Sequence, residues 1–308
     1  MTNSIKHKLY GIIGGSLTHS LSPLIHNYLF KKYRLDYYYS IFETNETNET
    51  NETNETNETN ETNETNLKDV ISSIKTLNIS GLNVTFPFKE KIIPYLDKAD
   101  TTVQKAGAVN TIKNSNGKLT GYNTDIDGVQ KTLQNKLRIN IKNKSILLFG
   151  AGGAARACMV ELLHQKPDSI IIANRDISKA KKLISSCKKL SNSTKIDKVN
   201  INDSNKLNKI VQDNQFALLI NSTSASSLIL KRILKRLTKD KYFKNTIIFD
   251  LNYGPKALSK NQIDFPNRYV DGLYMLTAQA AASFNIWTGI NIEPDDIYKY
   301  VKRKLRDK

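Results

Sequence analysis

The stretch NVTFPFKE, residues 83–90, places Lys89 beside two phenylalanines and a proline, directly after a short run that predicts a β-strand. A lysine in this setting commonly lays its stem along apolar surface, here Phe86 and Phe88, and keeps its ammonium group in water. A positioned amine can instead donate a proton or stabilise negative charge, provided that a carboxylate and a polar pocket accompany it. Other polar residues of the chain must decide between these interpretations.

Two of these polar residues lie near the ends of a predicted β-hairpin. The stretch AGAVNTIKNSNGKLTGYNTDIDG predicts two strands that turn at NSNG, with Asn110 and Asp125 near the ends of its arms. Taken alone, Asp125 is better interpreted as a cap or turn residue of the helix that begins IDGVQKTL. The hairpin nevertheless supplies a carboxylate of the type that Lys89 would require.

Two serines precede a predicted helix. In THSLSPLIHNYLF, Ser22 is followed by Pro23, which predicts a helix with Ser22 at its N-cap and the proline in its first turn. A helix N-terminus flanked by the hydroxyl groups of Ser20 and Ser22 also suits a small carboxylate.

The clearest architectural signal is KSILLFGAGGAARACMVELL, an apolar strand, a glycine turn and an amphipathic helix in immediate succession. This context predicts a dinucleotide site. Gly150 would permit the tight turn, Gly152 would let the backbone approach a pyrophosphate, and Ala155 stands at the small third position.

The residues that end the next strand, SIIIANR, bear on the cofactor. An NAD enzyme usually carries an acidic residue there, whereas this chain has Asn174 and Arg175. The planar, positively charged guanidinium group of arginine can hydrogen bond to a phosphate, so the sequence favours NADP. Lys179 could provide a second positive charge for that phosphate. Asp176 argues mildly for NAD.

Strands and helices alternate through both halves of the chain. LYGIIGG, a helix from Pro23, YYYSIF, another helix and SGLNVTF form the first half, and FALLINSTS and NTIIFDLNY continue the second. This order predicts two α/β domains, the second built on a doubly wound parallel sheet. A cleft between such domains is a natural place for a ligand.

Composition limits the classes of function. The 308 residues are 39% hydrophobic, enough for one large or two medium domains, and carry a formal net charge of +17. That charge would be compatible with binding to nucleic acid or to an acidic membrane. The lysines, however, are scattered along the chain, which indicates a coding sequence rich in adenine and thymine and not a binding surface. Two cysteines and four dispersed histidines predict neither a disulfide framework nor a metal site. Without a signal peptide or a membrane-length run, we expect a cytoplasmic protein.

Residues 43–66 are eight copies of ETN without an apolar residue. Such a segment cannot bury a core, so we expect disorder or a solvated loop. Since loop-closure entropy rises slowly with length, we interpret the repeat as an expansion tolerated at the surface.

Eight motifs occur in an order that resembles the shikimate dehydrogenases, which reduce 3-dehydroshikimate to shikimate with NADPH. They are HSLSP, NVTFPFKE, AGAVNT, GYNTD, GAGGAAR, ANR, DLNYGP and DGLYMLTAQAAASFNIWTG. The resemblance runs nearly end to end and is interrupted mainly by the repeat. It implies a substrate domain formed by residues 1–125 and C-terminal helices within 275–308, with the insert 43–66, and an NADP-binding Rossmann-like domain formed by residues 126–274.

The resemblance also implies roles for individual residues. Lys89 and Asp125 would be the catalytic pair: Lys89 protonates the carbonyl oxygen, and Asp125 orients the amine and accepts from a substrate hydroxyl. The aromatic neighbours of Lys89 would exclude water. Ser20 and Ser22 would hold the substrate carboxylate, and the remaining implied substrate contacts are Thr85, Asn110, Tyr253 and Gln279. The implied NADP contacts are Gly150, Ala151, Gly152, Gly153, Ala154, Asn174, Arg175, Lys179, Leu251 and Gly272.

Some positions depart from the family pattern. Asp176 replaces the usual threonine, Tyr274 stands where glycine is typical, residues 221–230 lack the common glycine and methionine, and Leu258 replaces a threonine. The expected partners are the small-molecule substrate and the cofactor, without nucleic acid or membrane. The expected oligomeric state is a monomer or a homodimer.

Two alternative functions remain: an enzyme that acts on quinate with NAD, and a non-enzymatic basic nucleic-acid-binding protein on the same scaffold.

Overall fold

The computed structural model describes residues 7–44, 58–191, 193–223, 245–254, 257 and 268–307. The chain divides into two compact α/β units. The first unit consists of Met1–Thr124 and Gln279–Lys308, and the second of Asp125–Ala278. No helix within the described ranges is long and apolar enough to cross a membrane.

The first unit is built on a mixed sheet with the strand order β2-β1-β3-β5-β6-β4 in its described part. β1 is parallel to β2 and β3, β5 is antiparallel to β3 and β6, and β4 is parallel to β6. Its elements are β1 (Lys8–Gly14), α1 (Ser22–Lys32), β2 (Tyr37–Glu43), α2 (Glu58–Thr76), β3 (Gly81–Val84), α3 (Phe88–Lys91), a 3-10 turn (Ile93–Tyr95), β4 (Lys98–Ala99), α4 (Thr101–Ala106), β5 (Thr111–Ser115) and β6 (Lys118–Tyr122).

The predicted hairpin is confirmed as β5 and β6, which pair from Thr111 opposite Tyr122 to Ser115 opposite Lys118. Its two-residue loop, Asn116 and Gly117, has positive φ angles of 55° and 84°. Both residues of a type I′ turn require positive φ, and asparagine and glycine adopt it at low cost. The turn therefore follows from the local sequence.

The second unit contains a parallel sheet whose described strands follow the order β12-β11-β10-β7-β8-β9. Its elements are α5 (Asp125–Lys131), a π-helical turn (Thr132–Leu137), β7 (Ser145–Phe149), α6 (Gly153–His164), β8 (Ser169–Asn174), α7 (Ile177–Cys187), a 3-10 turn (Lys188–Leu190), β9 (Lys195–Asn200), α8 (Ser204–Asp213), β10 (Phe216–Asn221), β11 (Ile247–Asp250) and β12 (Tyr269–Val270). The order reverses between β7 and β10, as in doubly wound folds. The predicted doubly wound sheet is confirmed.

Two helices complete the chain. α9 (Leu273–Thr288) contributes to both units, and α10 (Pro294–Arg306) belongs to the first. In the second unit, alternate residues of β7 enter two different apolar clusters: Ile146 and Leu148 join one, and Leu147 and Phe149 join the other. Since successive side chains of a strand point to opposite faces, both faces of this sheet are covered, as parallel sheets require.

The repeat differs from the expected loop at both of its ends. Glu43 is the last residue of β2, and α2 begins at Glu58, inside the repeat. Helix propagation costs less than nucleation, so the helix predicted for LKDVISSIKTL can extend towards the N-terminus into the repeat. The expectation of a loop is therefore wrong for Glu43 and for residues 58–66, whereas residues 45–57 lie outside the described part.

Candidate functional site

Two predicted substrate contacts, Asn110 and Gln279, meet in the interior of the first unit although 169 positions separate them in the sequence. Asn110 Nδ2 donates to Gln279 Oε1 at 3.5 Å and to Thr124 Oγ1 at 2.9 Å. The backbone N–H of Thr124 donates to Asn110 Oδ1 at 2.7 Å. All three side chains are buried. The arrangement holds the two amide groups in defined orientations.

Sequence reasoning missed the residues that support this pair. Asn83 Nδ2 donates to the Asn110 carbonyl oxygen at 3.2 Å, to Thr111 Oγ1 at 3.1 Å and to Ser283 Oγ at 3.2 Å. Asn83 and Ser283 are buried. A signal was present in the sequence, because Asn83 interrupts an apolar strand and Ser283 stands one helical turn after Gln279. A polar residue on a buried face usually needs a hydrogen-bond partner.

Lys89 is attached to the same region through its backbone. The Lys89 carbonyl oxygen accepts from the N–H of Val109, the neighbour of Asn110, at 2.7 Å. Thr85 lies before α3, where its N–H donates to the Ile13 carbonyl at 2.9 Å and its own carbonyl accepts from Phe88 at 2.9 Å. The Lys89 side chain is half-buried.

The two phenylalanines near Lys89 have different environments. Phe88 is 2% exposed and belongs to the apolar core of the first unit, whereas Phe86 is 63% exposed. The expectation that both aromatic neighbours exclude water is therefore wrong for Phe86. The reason is that α3 turns only Phe88 towards the core, while Phe86 precedes the helix.

The serines lie at the start of α1, but not in the predicted capping position. The N-cap is Leu21, and Ser22 is already the first helical residue, with Pro23 in the first turn. No side chain of the described residues caps this end of α1. Ser20 Oγ accepts from the Ser22 N–H at 3.4 Å. The cap assignment is thus wrong, but both serines do lie at the N-terminus of α1.

The glycine turn of the second unit has the geometry expected for a phosphate site. Gly150 has a φ of +104°, and a Cβ there would lie 2.5 Å from Ser222 Oγ. Gly152 is the N-cap of α6, and a Cβ there would meet no described atom within 4 Å. Ala155 is fully buried against the apolar cluster. The turn, which continues through Ala151, Gly153 and Ala154, leaves the α6 amides open to an anion.

The residues after β8 give Asp176 a structural role. Asp176 Oδ1 accepts from the N–H groups of Ser178 at 2.7 Å and Lys179 at 3.3 Å, and so caps α7. The hydrogen bonds from Ser178 lower the pKa of the Asp176 carboxyl group. Asn174 Nδ2 donates to the Asp176 carbonyl at 2.7 Å, and the Arg175 side chain is exposed. One oxygen of the Asp176 carboxylate, which argued mildly for NAD, is therefore used to cap the helix.

Leu251 and Gly272 are brought together after β11 and β12. The Gly272 N–H donates to the Asn252 carbonyl at 2.8 Å, and a Cβ at Gly272 would collide with the Leu251 carbonyl group. Only glycine fits this close approach of two backbone segments. Tyr253, the next residue in this loop, is half-buried.

Asp125 and Tyr274 are both buried in the second unit. Asp125 is the first residue of α5. Burial, together with the charge of Asp125, raises the pKa of the Cys158 thiol on α6.

The Tyr274 hydroxyl accepts from Asn135 Nδ2 of the π-helical turn at 3.4 Å. Of the other departures from the family pattern, residues 224–230 and Leu258 lie outside the described residues.

Three family models match consecutive parts of the chain. Residues 12–112 match the shikimate dehydrogenase substrate binding domain, residues 131–270 match shikimate / quinate 5-dehydrogenase, and residues 272–302 match the shikimate 5'-dehydrogenase C-terminal domain. Together these matches cover both units.

Relatives with known names agree with these models. The chain is 36% identical to shikimate dehydrogenase (NADP(+)) of Methanococcus maripaludis, over 96% of either chain. It resembles the crystal structure of a shikimate dehydrogenase in complex with NADP+, with a TM-score of 0.75 and 31% identity over 97% of this chain and 96% of that one. It also resembles shikimate 5-dehydrogenase from Listeria monocytogenes in complex with shikimate and NAD, with a TM-score of 0.74 and 28% identity over 98% and 99%. The chain therefore belongs to the shikimate dehydrogenase family.

Proposed function

We propose that this chain reduces 3-dehydroshikimate to shikimate with NADPH, reversibly, within aromatic amino acid biosynthesis. The observation that carries the proposal is the buried Asn110–Gln279 pair, joined to the Lys89 backbone through Val109. It lies in a chain that matches shikimate dehydrogenases along almost its whole length. In this proposal the first unit is the substrate domain and the second unit is the NADP-binding domain.

Lys89 and Asp125 form the proposed catalytic pair. The bound nicotinamide supplies the hydride. The Lys89 ammonium group stabilises the negative charge that develops on the carbonyl oxygen and gives it a proton, and the amine acts as the base in the reverse direction. Asp125 orients the amine and accepts a hydrogen bond from a substrate hydroxyl.

The substrate is held by contacts of two kinds. Ser20 and Ser22 bind its carboxylate at the N-terminus of α1, where the helix dipole favours an anion. Four further residues position its ring and hydroxyl groups: Thr85, Asn110, Tyr253 and Gln279. The support for this assignment is that the first unit orients Asn110 and Gln279 through buried hydrogen bonds.

NADP is held by the second unit. The amides of the Gly150–Ala154 turn would hold the pyrophosphate, Asn174 and Arg175, with Lys179, would hold the 2′-phosphate, and Leu251 and Gly272 would be further cofactor contacts. The open space at Gly152 and the use of the Asp176 carboxylate as a helix cap support this assignment. Relatives named for NADP(+) support it as well.

A spectrophotometric assay of the purified protein with shikimate and NADP tests the proposal, and we expect NADPH to accumulate. Faster turnover of quinate with NAD would favour the first alternative. Absence of activity combined with a steeply salt-dependent affinity for DNA would favour the second. The cytoplasmic location and the monomeric or dimeric state stay predictions, which fractionation and sedimentation would check.

A further inference from the structure

Asn252, which has no role in the proposal above, follows β11 in the second unit and is half-buried. Its Nδ2 donates to the Thr223 carbonyl at 3.0 Å and to Asp250 Oδ1 at 2.9 Å. Because a carbonyl oxygen can only accept, the amide must turn Nδ2 towards Thr223, and its two protons match these two acceptors. The Asn252 backbone takes part as well: its N–H donates to Asp250 Oδ1 at 3.1 Å, and its carbonyl accepts from the Gly272 N–H at 2.8 Å. Asn252 therefore joins the segments that follow β10, β11 and β12.

The carboxylate of Asp250, at the end of β11, anchors this junction and is 1% exposed. Besides the bonds from Asn252, its Oδ1 accepts from Asn221 Nδ2 at 2.8 Å, and its Oδ2 accepts from the Tyr269 hydroxyl at 2.9 Å. Asn221 Oδ1 in turn accepts from the N–H and the hydroxyl of Thr223, at 3.1 and 2.7 Å. A buried carboxylate is costly unless hydrogen bonds satisfy it. The network therefore favours one arrangement of β10, β11 and β12 at this edge of the sheet.

The glycine turn lies beside the same loop but is held by different bonds. Ser222, the residue before Thr223, donates to the Phe149 carbonyl from its N–H at 2.8 Å and from its hydroxyl at 2.6 Å. Phe149 ends β7 and precedes Gly150, the first residue of the turn. The contact between this loop and the glycine turn is therefore made through bonds that do not involve Asn252.

The strand order indicates where the two halves of NADP would lie. The glycine turn follows β7, and the described strands run in the order β12-β11-β10-β7-β8-β9. In open α/β sheets a dinucleotide lies outside the carboxyl ends of the strands where the order reverses, here between β7 and β10. The proposed contacts of the 2′-phosphate are Asn174, which ends β8, and Arg175, which follows it. With that half on the β8 side of the turn, we expect the nicotinamide half on the side of β10 and β11, which Asn252 follows.

We propose that Asn252 is a positioning residue for the nicotinamide half of NADP, because it holds the segments after β10, β11 and β12 in one arrangement. The inference rests on the proposed function, since it needs the second unit to bind NADP. Asn252 acts through the segments that carry Leu251 and Gly272, two of the proposed cofactor contacts. Its removal weakens the binding of NADP and leaves the phosphate contacts at the glycine turn and at Arg175 in place.

Calorimetric titration of the purified full-length protein with two ligands tests this inference. One ligand is NADP, and the other is adenosine 2′,5′-bisphosphate, which carries the 2′-phosphate but lacks the nicotinamide half. In Asn252→Ala we expect the Kd for NADP to rise about 3- to 10-fold, the effect of one lost hydrogen bond. The Kd for adenosine 2′,5′-bisphosphate should stay within about twofold of wild type. A general loosening of the second unit would instead weaken the binding of both ligands.

Asn214→Ala is the matched control. Asn214 is also half-buried, and its Nδ2 donates to the Ile210 carbonyl at the end of α8, at 2.7 Å. It precedes β10, which is parallel to β11, so it lies at the opposite edge of the sheet from Asn252. We expect both Kd values to be unchanged in this variant. If Asn252→Ala does not fold, Asn252→Leu, which keeps the volume but lacks the amide protons, should give the same rise in the Kd for NADP.

Three results would overturn the inference: an unchanged Kd for NADP in folded Asn252→Ala, an equal rise in Kd for both ligands, or an equal rise in Asn214→Ala. A wild-type protein that binds NADP but does not oxidise shikimate would instead contradict the proposed function, and the Kd ratios of the two ligands would still decide the inference.

Discussion

Glu43, the first residue of the ETN repeat, accepts a hydrogen bond from the backbone N–H of Leu17 through Oε1 at 3.1 Å. The next residue, Thr44, donates to the Gly14 carbonyl from its N–H at 2.9 Å and from its hydroxyl at 3.1 Å. The Leu17 carbonyl in turn accepts from Ser20 at 2.9 Å. The first copy of the repeat therefore holds the loop that leads to both serines.

This relationship separates the first copy of the repeat from the others. Deleting residues 46–63, which include the first residues of α2, leaves two copies. We expect activity within about twofold and a free energy of unfolding within about 1 kcal/mol of wild type, because closure entropy depends weakly on loop length and the deleted residues are all polar. Glu43→Ala, in contrast, should raise the KM for shikimate several-fold, since the Leu17 amide loses its acceptor. Kinetics and urea unfolding of both variants check this, and a large loss of activity in the deletion would show that the later copies contribute to the site.

Lys89 is expected to be catalytic. Lys89→Ala should lower kcat by about 10²- to 10⁴-fold and change the KM for shikimate far less, because the charge that it stabilises appears only in the transition state. Lys91→Ala, in the same helix α3 and exposed, is the control and should retain activity. A kcat of folded Lys89→Ala within a few-fold of wild type would indicate that Lys89 only lies along the surface.

Asp125 is expected to act together with Lys89. Asp125→Asn keeps the shape of the side chain but removes its charge, so we expect a severe loss of kcat. The double variant should lose less than the product of the two single losses, since paired residues act as a unit. Strictly multiplicative losses in a double-mutant cycle would show that the two residues act independently.

Arg175 is expected to determine the preference for NADP. Arg175→Ala should reduce the ratio of kcat/KM for NADP to that for NAD by about 1–3 kcal/mol, the contribution of a hydrogen bond to a charged group. Asp176→Ala is a useful comparison, because it should lower stability by about 1 kcal/mol through loss of the α7 cap without reversing the preference. A wild-type enzyme that uses NAD as well as NADP would contradict this prediction.

His26 is expected to make stability depend on pH. Burial lowers its pKa from 6.5 to about 3, so between these values the unfolded chain binds a proton that the folded chain does not. The stabilisation is complete above pH 6.5 and declines as the pH falls towards 3, by up to about 1.4 kcal/mol per pH unit. Urea unfolding at pH 7.5 and 5.5 should show about 1 kcal/mol more loss for wild type than for His26→Phe. An equal loss of unfolding free energy in both proteins would show that a group other than His26 titrates in this range.

Features that depend on neighbouring residues could be predicted from the sequence. The strand, glycine turn and helix around Gly150, the hairpin at Asn116 and Gly117, and the doubly wound order all follow from periodicity and from residues that tolerate positive φ. The motif order also identified the family. These signals are local, so they do not depend on contacts with distant parts of the chain.

Features that depend on distant contacts were decided by the tertiary structure. The Asn110–Gln279 pair and the hydrogen bond from the Tyr39 hydroxyl to Asn83 join segments far apart in the sequence. Ser22 was expected to cap α1 because capping is a local rule, but the helix begins at Ser22 itself and Leu21 is its N-cap. Likewise, packing and not composition buries Phe88 and leaves Phe86 exposed. A buried polar group takes the partner that the assembled fold provides, and that partner cannot be identified from local sequence.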